Sequence, residues 1–154
     1  MSEIDENKYS FIPCTDDLRE ELKPRLAKDK GLTKFLSSDI SKNSNLVCYD
    51  NNIIGFYSVK GYPDGELQLG IFEEYRGSGH GKKLTVKITD DCFNKENYHS
   101  IYLLCRPDNV ISQKSAKASG FKRDYDKEMM MGDRELPYIT YYKVNYNYDR
   151  SRGR

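Results

Sequence analysis

The stretch EEYRGSGHGKKL, residues 73–84, puts glycine at three alternate positions, Gly77, Gly79 and Gly81. It lies between the apolar-rich run ELQLGIF (66–72) and a segment with helical spacing. Where a strand gives way to a helix, the first helical N–H groups lack intrahelical partners and the end dipole favours an anion. Glycine removes the side chains that would keep an anion at a distance. A phosphate or pyrophosphate fits such a turn. Lys82 and Lys83 oppose the dipole at that helix end, and their charge suits the same ligand.

Two common nucleotide motifs do not match. A P-loop needs glycine five positions before Gly81, where Arg76 stands, and Ser or Thr after Lys82, where Lys83 stands. The dinucleotide fingerprint needs glycine at Lys82 if it starts at Gly77, or at Leu84 if it starts at Gly79. The pattern that remains is R-x-x-G-x-G, made by Arg76, Gly79 and Gly81.

The flanking sequence supplies a strand before this turn and a helix after it. Upstream, LVCYD (46–50) and IIGFYSV (53–59) flank Asn51-Asn52, a tight-turn signal, and KGYPDG (60–65) leads into the third strand of a meander. Downstream, Leu84, Ile88 and Cys92 recur every four residues, with Val86 and Phe93 widening the apolar side of a helix. Nearer the N-terminus, residues 8–13 read as a short strand. Residues 15–26 read as a helix capped by Thr15 or Asp16, striped by Leu18 and Leu22, and kinked or ended by Pro24. Leu32, Phe35 and Leu36 suggest a second short helix. SIYLLC (100–105) is a buried strand, and Asp108 or Asn109 caps a short helix that ends at Gly120. Residues 121–125 and 137–148 complete the order as two further strands. The whole reads as a mixed α/β arrangement.

Composition narrows the function. A chain of 154 residues suits one domain, and 37% hydrophobic with 32% charged residues is enough to fold without staples. A formal charge of +1 gives no strong nucleic-acid signal. The basic end YDRSRGR, with Arg150, Arg152 and Arg154, reads as a solvated tail. Cys14, Cys48, Cys92 and Cys105 match no metal spacing and read as reduced core residues of a cytoplasmic protein, with no metal. No segment approaches the 18 apolar residues of a membrane span, and the polar N-terminus does not look like a signal segment.

The R-x-x-G-x-G string between strand and helix, followed by SIYLLC and by NVISQKSAKASGF (109–121) with Asn109, Ser112, Gly120 and Phe121, resembles the GNAT superfamily of N-acetyltransferases over about residues 9–148. The resemblance implies a mixed, strongly curved central sheet with helices on both faces. It implies a single acetyl-CoA-binding domain at 9–148 between a flexible N-terminus (1–8) and a flexible basic tail (149–154). It places the coenzyme pyrophosphate on Arg76, Gly77, Ser78, Gly79, His80, Gly81 and Lys82, and the pantetheine arm along the main chain of Ile71 and Phe72. Asn109 would cap its helix and face the arm, and the His80 ring would be solvated, its N–H mattering more.

The implied chemistry is direct acetyl transfer to a primary amine of a small molecule or peptide. Glu66 is the candidate general base, one residue from the position the family uses, an offset that turns its side chain to the other face unless the strand bulges. At the family's acid tyrosine this chain has Ala116, which cannot donate a proton; Ser115, a water, or one of Tyr125, Tyr138, Tyr141 and Tyr142 would compensate. That departure keeps open a catalytically weak acyl-CoA-binding sensor or interaction module. Acceptor choice is expected from AKDKGLTKF (27–35) and DKEMMMGDRELP (126–137); in the latter Met129, Met130 and Met131 either line an adaptable cleft or pack a hairpin on the body, and the carboxylates suit a cationic amine or basic peptide. The 137–148 strand either pairs across a homodimer or stays solvated.

Overall fold

The computed structural model describes residues 3–35, 39–126 and 138–152. Its strands form one seven-stranded mixed sheet in the order β1-β2-β3-β4-β5-β7-β6, as expected of a mixed α/β fold. Two compact units make up the chain: Met1–Val59 with Gln68–Gly81, and Lys60–Leu67 with Lys82–Arg154.

In the first unit, β1 (Tyr9–Pro13) pairs antiparallel with β2 (Asn45–Tyr49), and β2 pairs antiparallel with β3 (Asn52–Lys60). The β2–β3 turn sits one residue earlier than expected. Asp50 and Asn51 take φ of 51° and 68°, while Asn52 already faces Tyr49 in the ladder. A two-residue hairpin whose central residues both need positive φ accepts Asp and Asn because their short polar side chains tolerate that region.

Helix α1 (Asp16–Lys28) is capped by Thr15, whose Oγ1 accepts from the Leu18 N–H at 3.3 Å. Pro24 lies inside it and does not end it; the helix carries Leu22 and Leu26, both buried, one turn apart. Helix α2 (Lys30–Phe35) follows directly. Leu22, Leu26, Leu32, Ile40, Leu46, Phe56 and Phe72 form the core of this unit. Burying each of these side chains contributes about 1.5–3 kcal/mol before entropy is counted.

Strand β4 (Asp64–Ile71) begins in the second unit. There its residues Asp64, Gly65 and Glu66 run parallel to Ser100, Ile101 and Tyr102 of β5 (Ser100–Cys105). Strand β5 pairs antiparallel with β7 (Ile139–Val144), and β7 with the two-residue β6 (Lys122–Arg123). Helix α3 (His80–Asn94) buries Leu84, Ile88 and Cys92 as its spacing predicts, but Thr85 and Thr89 widen the buried side, whereas Val86 and Phe93 are only half-buried. The reason is angular: positions one residue after each stripe leucine or isoleucine sit on the same flank of a helix. Helix α4 (Val110–Ala118) is capped by Asn109 rather than Asp108, its Oδ1 accepting from the Ser112 N–H at 3.2 Å. All four cysteines are free and buried, as expected of reduced core residues.

Candidate functional site

Two of the three alternate glycines are there for the backbone. Gly77 and Gly79 take φ of 84° and 95°, where a Cβ collides with the following carbonyl. Gly81 needs no such freedom, since it already lies in the first turn of α3. A Cβ built at Gly77 or at Gly81 would meet nothing within 4 Å. At those two positions the loop presents bare backbone to open space, whereas a Cβ at Gly79 would stand 3.7 Å from Ile4 Cδ1. Gly79 precedes the first helical residue and offers no side-chain oxygen as a cap, and no acidic residue occupies the first turn of α3. A helix start with no acidic residue of its own is suited to an anion supplied from outside. Lys82 and Lys83 are exposed there.

Arg76 plays a different part from the one its place in the motif suggested. Its guanidinium turns onto Asp29, with Nη2 to Oδ1 at 2.9 Å and Nη1 to Oδ2 at 3.0 Å, and Nη1 also donates to the Ile71 carbonyl at 2.8 Å. Its backbone N–H donates to the Glu73 carbonyl at 3.1 Å. Arg76 thus holds the entrance of the loop against the end of β4.

Its partner Asp29, only 3% exposed, lies in AKDKGLTKF, the segment expected to select the acceptor, where no spacing marks it as an ion-pair partner. The one usable signal was an aspartate directly ahead of a helical run. Asp29 accepts the Leu32 N–H at 3.1 Å, which caps α2, and the Glu73 N–H at 2.9 Å. Burial alone would push this carboxyl up; hydrogen bonds from Arg76, Leu32 and Glu73, with the Arg76 charge, outweigh it and hold it below the usual carboxylate range.

The expected solvation of His80 is overturned. The ring is 6% exposed, its Nδ1 lies 2.6 Å from the Tyr9 hydroxyl, and the rings of Tyr9, Tyr49 and Tyr75 surround it edge-on with centroids 5.6, 4.9 and 6.4 Å away. Burial pushes its imidazole below the ordinary range, so it is neutral near pH 7. Three tyrosines from β1, β2 and the 3-10 turn Glu73–Tyr75 make this pocket, a long-range assembly that loop position alone does not reveal.

Main-chain groups at the end of β4 are also sorted. The Phe72 N–H donates to the Ile54 carbonyl at 2.9 Å, so it is not a free donor for an extended arm. Because N–H directions alternate along a strand, the Ile71 N–H points to the opposite edge of β4. The Ile71 carbonyl is held by Arg76.

In the second unit, Glu66 stands in regular register opposite Tyr102, and paired residues of a ladder share a sheet face. Glu66 is half-buried, on the face opposite to the buried Gly65 and Leu67. The parallel ladder ends at this pair. Tyr102 stacks on Tyr142 with centroids 6.0 Å apart, and burial, then Asp124 and Asp64, push its phenol up, so it stays protonated.

The tyrosines considered as acids separate clearly. Tyr141 is buried in the core, Tyr125 is 63% exposed beneath the Arg123 guanidinium, and Tyr142 belongs to the stack. Ala116 is buried and inert. Residues 127–137, with the three methionines, lie outside the described residues. A recess of about 420 Å³ lined by Asp90, Phe93, Gly120, Lys122, Tyr142 and Asn145 contains one candidate acid, Tyr142, and none of the residues assigned to the coenzyme or to the general base. Among the described residues no group of three or more His, Cys, Asp or Glu is arranged to hold a metal, and no helix is long and apolar enough to cross a membrane.

Comparison with known proteins gives the same outline. Residues 10–121 match the model of the acetyltransferase (GNAT) family. An uncharacterized N-acetyltransferase of Bacillus subtilis (strain 168), YnaD, is 25% identical over 120 residues, covering 78% of this chain and 69% of the relative. Two solved structures share the fold at low identity. The ribosomal-protein-S5-alanine acetyltransferase of Vibrio fischeri superposes with a TM-score of 0.75 at 16% identity, over 97% of this chain and 100% of that one. The spermidine N-acetyltransferase of Vibrio cholerae, solved with CoA and spermine, gives 0.72 at 15% identity, over 92% and 98%.

Proposed function

We propose, because the chain belongs to the GNAT acetyltransferase family, that it is an acetyl-CoA-dependent N-acetyltransferase acting on a primary amine of a small molecule or peptide. The observation that carries this reading is the loop: glycine at positions 77, 79 and 81, open space where a Cβ would stand at Gly77 and Gly81, and a helix start with no acidic residue behind it. Those features fit a pyrophosphate. The similar structures named for a ribosomal-protein alanine and for spermidine support an amine acceptor without choosing between peptide and small molecule.

Coenzyme A, when bound, supplies the acetyl group as a thioester. The backbone of Gly77, Ser78, Gly79, His80, Gly81 and Lys82 would hold its pyrophosphate, with Lys82 adding charge. Arg76 shapes that loop through Asp29, the Ile71 N–H would bind the arm, and Asn109 is assigned to the arm by the family pattern. Since the regular register turns Glu66 to the face opposite Gly65, its carboxylate would take a proton from the acceptor ammonium through a water rather than directly, so that a neutral amine attacks. The enzyme needs no covalent nucleophile.

Two substitutions at the loop separate binding from folding. Gly81→Ala is expected to leave stability unchanged or raise it by about 0.5–1 kcal/mol, as alanine does for glycine in a helix. It should nevertheless weaken coenzyme A binding roughly tenfold by placing a methyl where the phosphate approaches, a loss of about 1.4 kcal/mol. Gly79→Val is expected to weaken binding by about 1–3 kcal/mol, with an added folding cost from its φ of 95°. Calorimetric titration beside thermal unfolding checks both; wild-type affinity in folded Gly81→Ala and Gly79→Val would remove the loop assignment.

Glu66→Gln is expected to keep coenzyme affinity and lower turnover by about 10²–10⁴. The test of the whole reading is acetyl-CoA titration with a thiol-release screen over polyamines, amino acids and basic peptides. Saturable binding with acceptor-dependent release supports transfer. Binding without release across a broad acceptor panel replaces transfer by coenzyme sensing.

A further inference from the structure

We propose that Tyr9 is a positioning residue for the coenzyme loop, fixing its helical end by hydrogen-bonding the ring of His80. The inference rests on the reading of that loop as the coenzyme site.

The loop is a short span between two anchors. At its start the Arg76 guanidinium is fastened to Asp29 and to the Ile71 carbonyl. At its end His80, the first residue of α3, reaches Tyr9 in β1, 71 positions away in the chain, at 2.6 Å. Between them lie Gly77, Ser78 and Gly79, two of them in the left-handed region. Glycine loses more backbone freedom on ordering than any other residue, so a span of this composition binds an anion well only if its ends are held beforehand.

His80 also stands between Gly79 and Gly81 and carries the one side chain of that triplet. Its burial means the side chain serves the anchor, while its N–H stays with the helix start.

The surroundings fit one protonation pattern. Groups facing the ring are the phenols of Tyr9, Tyr49 and Tyr75, with the Glu6 carboxylate acting on Tyr9. Burial, then Tyr49 and Glu6, push the Tyr9 phenol well up, so its O–H is retained as a donor. Burial favours the neutral His80 ring, and the proposed bond uses the tautomer with the ring proton on Nε2, in which Nδ1 accepts that O–H. Tyr49 packs on both rings, but its own hydroxyl accepts the Asp5 N–H at 3.0 Å, which makes it a neighbour of the anchor rather than a part of it.

The test uses the full chain and four proteins: wild type, Tyr9→Phe, His80→Phe and Tyr49→Phe. Calorimetry with coenzyme A, below the unfolding temperature of each, is expected to show roughly tenfold weaker binding for Tyr9→Phe and for His80→Phe, on the scale of one lost hydrogen bond. Tyr49→Phe should stay within about twofold. In acetyl transfer, the KM for acetyl-CoA should rise by the same factor in the first two variants while kcat at saturation is unchanged, which general loosening of the fold would not produce.

With only two histidines in the chain, the His80 ring is resolved by NMR. Its protonation should move to higher pH in Tyr9→Phe, because the bond to the neutral form is gone. If Tyr9→Phe does not fold, His80→Phe carries the comparison. Wild-type affinity in either variant, or an equal loss in Tyr49→Phe, overturns the inference while leaving the coenzyme site standing. Failure of the wild type itself to bind coenzyme A overturns that site and the inference with it.

Discussion

Replacing Asp29 with alanine is expected to cost about 3 kcal/mol of folding stability, near the lower end of what removing one partner of a buried ion pair costs. Three groups lose an acceptor together: the Leu32 N–H at the start of α2, the Glu73 N–H after β4, and the Arg76 guanidinium. The figure is not larger because the Arg76 side chain is 37% exposed and can turn to water. Asp29→Asn keeps an oxygen for some of these donors and loses the charge, and about half the cost is expected.

The pH dependence follows from the direction of the Asp29 shift. Its folded-state carboxyl is held below the usual range, so its contribution is fully present above the unfolded value of about 3.9 and is lost as pH falls through the folded value. Urea unfolding at pH 7 should therefore separate Asp29→Asn from wild type. The gap should close as pH is lowered from about 5 toward the folded value. Equal midpoints at pH 7 would remove the ion pair from the account. Because the freed guanidinium also releases the Ile71 carbonyl, coenzyme A affinity should fall in Asp29→Ala even where the protein is fully folded.

Arg76 also shows which part of the site the sequence makes legible. The R-x-x-G-x-G spacing located a strand–loop–helix transition, because glycine at positive φ and the start of a helical stripe are local requirements written in adjacent residues. What the arginine side chain does was not legible. Its partner lies 47 residues away, in a segment with no pattern of its own beyond a capping aspartate. His80 repeats the lesson. Loop position suggested solvent, whereas the ring is enclosed by tyrosines that only strand pairing brings together; Tyr9 and Tyr49 are cross-strand partners in the β1–β2 ladder.

Period and capping served better for whole elements. The stripe of α3, the Thr15 cap and the hairpin were all readable, with the hairpin displaced by one residue because Asp50 tolerates positive φ as Asn does. The register of Glu66 against Tyr102 was not readable, since the parallel partner strand begins 36 residues after Asp64.

Gly55→Ala is expected to destabilise the protein by about 3 kcal/mol, at the upper end of what overpacking a close contact costs. Gly55 lies in β3, and a Cβ there would run into the carbonyl oxygen of Gly70 and come within 3.2 Å of the Ile71 Cα. The obstacle is backbone, so no side-chain rotation relieves it. One of the two strands has to move. The missing side chain at Gly55 lets β3 and β4 approach this closely, next to the Phe72 N–H bond to the Ile54 carbonyl.

Gly77→Ala is the useful contrast. Its Cβ has open space, so its cost comes only from a φ of 84°, about 1–2 kcal/mol. Urea unfolding should rank Gly55→Ala as the more destabilised of the two, and the reverse order would mean that β4 yields more easily than a fastened strand end should. Affinity should also report the displacement. Gly70 and Ile71 lead into the carbonyl that Arg76 grips, so a shift of β4 moves the entrance of the loop, and folded Gly55→Ala should bind coenzyme A more weakly although residue 55 is not part of the loop. Intact affinity in a destabilised Gly55→Ala protein would show instead that Asp29 alone sets the position of Arg76.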